Sequence, residues 1–238
     1  DAFEQNLRLL LRMVDTPYFT EQSVEKERGI IAQEIRMYED SPGSRVYEQL
    51  FATMFQSHPI RVPIAGTVES IGHITAKTLE LCHDTFYQPA NMMLCVVGDV
   101  DPEQVCRIAE QTLTAQHGGL AKRDYGAPEA LTVPKHLVTD TMEVSMPMFA
   151  LGFKCPAPPR GPETLRAELL GDLAAELLAG ESSPLYVRLY EQGLIDSGFS
   201  AGYEGLKGAC LVSASGDSKD PAAVRDAILD EAARLSRD

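Results

Sequence analysis

The chain has 238 residues, 44% of them apolar, which is enough for one large core or two of ordinary size. With 35 Asp and Glu against 21 Lys and Arg the formal net charge is −14, which argues against nucleic acid or an anionic membrane as partner and is compatible with attraction of basic peptides. No run approaches the roughly 20 apolar residues of a membrane span, none has the form of a signal peptide, and five cysteines without a C-x-x-C (Cys82, Cys95, Cys106, Cys155, Cys210) read as buried free thiols of a reducing, cytoplasmic compartment.

Leu7, Leu10, Leu11 and Val14 recur at helical spacing, and Asp15-Thr16-Pro17 ends that helix because the residue before proline is pushed out of the α region. Thr20 is placed to cap a second helix, on which Val24, Ile30, Ile31, Ile35 and Tyr38 gather on one side that should be buried. Asp40-Ser41-Pro42-Gly43 breaks or bends it, and Val46, Leu50, Met54 and Phe55 form the next helical face, followed by a loop from His58 to Gly66. Thr75 caps a helix reaching about Tyr87, with Leu79, Cys82, His83 and Phe86 on one face; Met92 to Val97 reads as a buried strand. Asp101-Pro102 opens a helix carrying Val105, Ile108, Ala109 and Leu113. Beyond it the pattern dissolves into Gly, Pro and charge, and residues 118–136 read as a linker between a first domain, 1–117, and a second, 137–238.

The second half restarts with strand-like residues from Thr139 to Cys155, where Val144, Met146, Met148 and Ala150 alternate onto one face. After a turn at Pro156–Gly161, Leu165, Leu169, Leu173, Leu177 and Leu178 give a helix ended by Gly180. Ser183-Pro184 starts a shorter one through Tyr190, Phe199–Tyr203 and Ala209–Ser215 read as strands, and a helix runs from Pro221 to Leu235. Strands and helices are grouped without βαβ alternation, so the fold class is α+β.

The unusual residues are Glu27 and Glu34. Seven apart on a helix, two turns along, they project from the apolar stripe of the second helix. If buried, each carboxylate has to be answered by a cation, a metal ion or a proton; the commoner outcome for such spacing in an acidic chain is solvation or pairing with a nearby Lys or Arg. The string around them is more specific. Glu27-Arg28-Gly29-Ile30-Ile31-Ala32-Gln33-Glu34, followed by Tyr38 and Asp40-Ser41-Pro42, resembles the segment that supplies the third zinc ligand in the pitrilysin/insulinase metallopeptidases, the M16 or inverzincin group. Asp15-Thr16-Pro17-Tyr18-Phe19, His58-Pro59, Ala65-Gly66-Thr67, Phe86-Tyr87-Gln88-Pro89-Ala90-Asn91-Met92 and Val97-Gly98-Asp99 match in the same order. The resemblance is closest to bacterial insulinase-like subunits found as adjacent pairs of homologues.

The resemblance implies two related α+β domains, each an antiparallel sheet with helices on one face, and both truncated here. It assigns Glu34 as a zinc ligand and Glu27 as a supporting acid that orients a ligand of the site. The two His ligands and general-base Glu of H-x-x-E-H are absent: His58, His73, His83, His117 and His136 are never four apart. In the family that motif precedes the glutamate helix, which places it upstream of Asp1, where a start and any targeting segment are also expected. Either the motif has been removed, or the parent is a paralogue that never had it. The expected function is a zinc metalloendopeptidase acting on peptides or unfolded segments, with this chain inactive and holding no Zn²⁺ by itself. The alternative is a catalytically silent subunit that pairs with an active homologue, or self-associates, and contributes substrate-binding or assembly surface.

Gly180-Glu181-Ser182-Ser183-Pro184 begins like a nucleophile elbow but lacks the second glycine and reads as a turn and cap. The glycines from Gly198 to Gly216 match neither a P-loop nor a dinucleotide fingerprint. His83 reads as a core or interface residue and His58 as a loop residue.

Overall fold

A computed structural model describes residues 2–113 and 119–237. In chain order these form α1 (Ala2–Asp15), α2 (Glu21–Glu39), α3 (Pro42–Met54), α4 (Val68–Ile71), α5 (Ala76–Phe86), α6 (Pro102–Thr112), β1 (Met148–Cys155), α7 (Pro162–Ala179), α8 (Pro184–Glu191), β2 (Ser200–Leu206), β3 (Ala209–Asp217) and α9 (Pro221–Leu235). The chain divides into two compact units: one takes residues up to Glu34 with Thr67–Asp124, the other Ile35–Gly66 with Tyr125 onward. Gly118, the first residue of the expected linker, lies outside the described residues, as does His117 before it.

The first unit is helical. α1 packs Leu7 and Leu11 against Val105 and Ile108 of α6, with Val96 and Val100 at the margin. Arg8 ties the same two helices at their surface, donating to the Thr112 hydroxyl at 2.9 Å and to Gln111 at 2.7 Å. The expected strand at Met92–Val97 is extended but unpaired; among the described residues no strand precedes Met148. A strand needs a neighbour to satisfy its ladder, and without one Met93 and Val97 stand more than nine-tenths exposed. Three cysteines also depart from expectation. Cys82, Cys95 and Cys106 are exposed, Cys155 is half-buried and only Cys210 is buried. Cys106 follows the buried Val105 by one residue, about 100° round α6, and so points off its core line.

The second unit holds a three-stranded antiparallel sheet in the order β1-β3-β2, with Met148 opposite Asp217 and Ser200 opposite Ser215. Alternation sends Phe149, Leu151, Phe153, Ala201 and Ala214 to one face, where they join Leu178, Leu185, Leu189, Val224 and Ile228 of α7, α8 and α9. The opposite face presents Ala209 and Leu211 to Phe51 and Met54 of α3 and to Phe55 after it. The α+β expectation is met by a small sheet, but with helical cover on both faces rather than one. The strand expected from Thr139 is confined to Met148–Cys155. Its partner β3 ends at Asp217, and after the Ser218 amide bonds the Pro147 carbonyl at 2.9 Å nothing continues the ladder, leaving Val144 and Met146 exposed.

Caps follow the sequence closely. The Ser41, Thr75, Asp101, Ser183 and Asp220 side chains each accept a backbone N–H of the helix they precede. α7 crosses β2 at Gly171, where a Cβ would fall inside the van der Waals envelope of the Tyr203 Cβ and Cγ atoms.

Candidate functional site

Glu27 and Glu34 lie on α2, a helix unbroken for 19 residues. Thr20 and Ser23 set its start reciprocally: each hydroxyl oxygen accepts the other's backbone N–H at 3.1 Å. Val24 and Ile35 are buried, each 4% exposed, and Ile31 is half-buried, whereas Ile30 and Tyr38 are exposed. The stripe is therefore narrower than its composition suggested. At 100° per residue Val24, Ile31 and Ile35 fall within about 20° of one line, while Glu27 and Glu34 sit roughly 60° and 80° to its side and Ile30 about 120° away. Both acids are exposed, so neither demands a buried counter-charge. Next to Glu27, Arg28 forms an ion pair with Glu25 and donates to the Gly72 carbonyl at 2.9 Å.

The histidines do other work. His58 is buried and its ring caps the short turn after it, with Nδ1 accepting the Ile60 N–H at 3.2 Å. His83 places Nε2 2.8 Å from the Val14 carbonyl and stacks on Tyr87, with ring centroids 5.0 Å apart. His73 and His136 are exposed, and His117 lies outside the described residues. Zinc sites take three or four protein donors. Among the described residues no group of three or more His, Cys, Asp or Glu could hold a metal ion, so these residues do not by themselves fit zinc.

A second feature was not legible in the sequence. In the second unit a cleft of about 620 Å³ lies between α3 and the sheet, with Tyr47, Leu50 and Met148 among its walls and Ser200, Gly202, Ser213 and Ser215 on its floor. Asp196, Glu204 and Asp217 line it, and no Lys, Arg or His does. Partial burial and then the neighbouring Glu204 carboxylate push the Tyr47 phenol up. These acids come from three places in the sequence, and only strand pairing brings them together. No described helix is long and apolar enough to cross a membrane.

The sequence matches the family described as Insulinase (Peptidase family M16) over residues 1–68 and the Peptidase M16 inactive domain over residues 73–238. It is 40% identical over 223 residues to the uncharacterized zinc protease YmfH of Bacillus subtilis (strain 168), covering 92% of this chain and 52% of that protein. Its fold is similar to the M16-like peptidase of Alicyclobacillus acidocaldarius, with a TM-score of 0.88 and 31% identity over 100% of this chain and 56% of that one. It is also similar in fold to a protease from Helicobacter pylori, with a TM-score of 0.80 and 22% identity over 98% of this chain and 57% of that one. The chain thus spans about half the length of these relatives. Two adjoining matches that together take in nearly every residue leave one conclusion: the chain belongs to the M16 (insulinase) peptidase family.

Proposed function

We propose that the chain is part of a cytoplasmic zinc-dependent metalloendopeptidase that cuts peptides or unfolded segments. In this reading residues 1–117 are the C-terminal part of a catalytic-type domain, 118–136 a linker and 137–238 the N-terminal part of a second, related domain. Glu34 is the carboxylate ligand of the metal and Glu27 a supporting acid. The observation that carries the reading is the 40% identity, over 92% of the chain, to a protein named a zinc protease; the Glu27-to-Glu34 string gives it a site. Bound zinc would polarise a scissile carbonyl and activate water. The chain's own contribution is to present Glu34 on a capped, uninterrupted helix whose buried line, Val24 and Ile35, fixes the direction in which the acid points. The H-x-x-E-H motif is absent from residues 1–238, so this chain alone hydrolyses no peptide. Chelator-sensitive peptidase activity from the purified 238-residue chain would overturn the assignment of the catalytic residues.

A second reading starts from the cleft with its acidic lining: a catalytically silent subunit that pairs with an active homologue and supplies substrate-binding or assembly surface. The codons upstream of Asp1 separate the two. An H-x-x-E-H there supports the enzyme, and a complete reading frame without one supports the silent partner.

A further inference from the structure

Residues 119–135 contain no helix or strand, yet one of their side chains is among the most heavily bonded in the second unit. The Glu129 carboxylate, 6% exposed, accepts the backbone N–H groups of Gln56 at 3.2 Å, of Ser57, and of His58 at 2.6 Å, and the Ser57 hydroxyl at 3.0 Å. Its cation is Lys154 of β1, 3% exposed and 3.0 Å away. Lys154 donates further to the carbonyls of Ala130 at 2.8 Å and Thr132 at 3.3 Å, and its ammonium lies 4.8 Å from the centre of the Phe55 ring.

A second clamp grips the same stretch four residues earlier. Because His58 Nδ1 accepts from Ile60, Nε2 carries the proton and donates it to the Lys207 carbonyl at 2.9 Å. The imidazole then stacks on Tyr125 at 5.9 Å, and the Lys207 ammonium sits 4.1 Å from the centre of the Tyr125 ring. Gly126 follows with φ of 80°, a left-handed turn that glycine adopts without strain.

We propose that Tyr125–Thr132 is a strap, and that the Glu129 carboxylate fastens the end of α3 to β1 through it. The three N–H groups at 56–58 come just after α3 has ended, where the chain turns and the helix offers them no partner. One carboxylate satisfies all three and also draws in the Lys154 ammonium. A buried ion pair is a poor source of net stability compared with apolar packing, but breaking it from one side strands a charge. That cost makes the strap's position well defined: a shift of one residue would leave Lys154 and three amides unsatisfied together.

The test is hydrogen exchange with limited trypsin digestion on the purified chain, comparing wild type with Glu129→Ala and Glu129→Gln. The expected result for Glu129→Ala is exchange at Gln56, Ser57 and His58 faster by tenfold or more, and faster tryptic cleavage after the exposed Lys122 and Arg123, with the amides of α8 and α9 at wild-type rates. Glu129→Gln retains the shape and one acceptor oxygen but sets an NH₂ among donors, and should give a smaller increase at the same three amides. It also keeps the test open if the alanine variant does not fold. Wild-type exchange at residues 56–58 in both variants would overturn the proposal. So would equal acceleration across the whole unit, because that is loss of stability without release of a strap.

Discussion

Gly171 sets two opposing effects against each other. Replacing it with alanine removes the entropic penalty of glycine in the middle of α7, worth about 1 kcal/mol in favour of the variant. In the fold, the added methyl meets the Cβ and Cγ atoms of Tyr203 on β2. These atoms are the root of the side chain, so turning the ring cannot clear them; the helix or the strand has to move. Overpacking of this kind costs about 1–3 kcal/mol, and a clash at the root of a side chain belongs at the upper end. The net expectation for Gly171→Ala is a loss of about 1–2 kcal/mol, read as a lower urea midpoint at unchanged m-value. On a Tyr203→Ala background the Cγ clash is gone and only the Cβ contact remains, so the same substitution should cost clearly less than in wild type. Stabilisation of the wild-type background by Gly171→Ala, or the same effect in both backgrounds, would refute the close approach of α7 to β2.

Leu185 is 0% exposed in the cluster that joins α7, α8 and α9 to the sheet, so Leu185→Ala should cost about 2–5 kcal/mol in urea unfolding. Ser183→Ala removes the oxygen that accepts the Tyr186 N–H at 3.1 Å and should cost about 1 kcal/mol. Glu129 and Glu231 both contribute to the acid limb of stability, beside Asp140, which the hydrogen bond from Arg45 also lowers. Burial alone would raise Glu129, but the N–H groups of Ser57 and His58, the Lys154 ammonium and the Gln56 N–H outweigh it and hold the group far below its ordinary value of 4.5. The hydrogen bond from Arg234 lowers Glu231 in the same direction. A carboxylate whose folded pKa is depressed contributes fully above its unfolded value and loses that contribution as the pH falls through the folded one. Unfolding free energy should therefore decline below about pH 4.5, and Glu231→Gln should flatten that decline while leaving its position on the pH axis nearly unchanged; an identical slope in the variant would reject the Arg234 contact as its cause.

Much of the helical framework could be read directly from the residues. Thr20, Thr75, Asp101 and Ser183 precede helices and act as caps as expected, because an N-cap is a local contact between residues two or three apart; Ser41, expected only to break or bend a helix, and Asp220 also act as caps. The strands were less legible where pairing decides. Met92–Val97 has a strand's composition but, among the described residues, no strand to pair with, whereas β3 gains neighbours on both sides. Burial on α2 departs from the sequence expectation for a geometric reason. Grouping Ile30 with Val24 and Ile35 widened the apolar stripe until it took in Glu27 and Glu34, and the helix buries only the narrower line. The acids of the cleft and the bonds of Glu129 were invisible in sequence, since each depends on residues between about 10 and 75 positions apart. Glu34 stands out only through the string that surrounds it, because a single exposed carboxylate has no distinguishing pattern of its own.

The central claim, that Glu34 is the carboxylate ligand of a zinc peptidase, is tested most directly by metal content. The whole gene product that carries these 238 residues should be purified as wild type, Glu34→Gln and Glu27→Gln, and its zinc measured per chain. The account predicts about one zinc per chain for wild type, a clear loss for Glu34→Gln, and a smaller loss for Glu27→Gln, as expected of an acid that orients a ligand. Unchanged zinc stoichiometry in Glu34→Gln, or a wild-type protein that binds none, would contradict it.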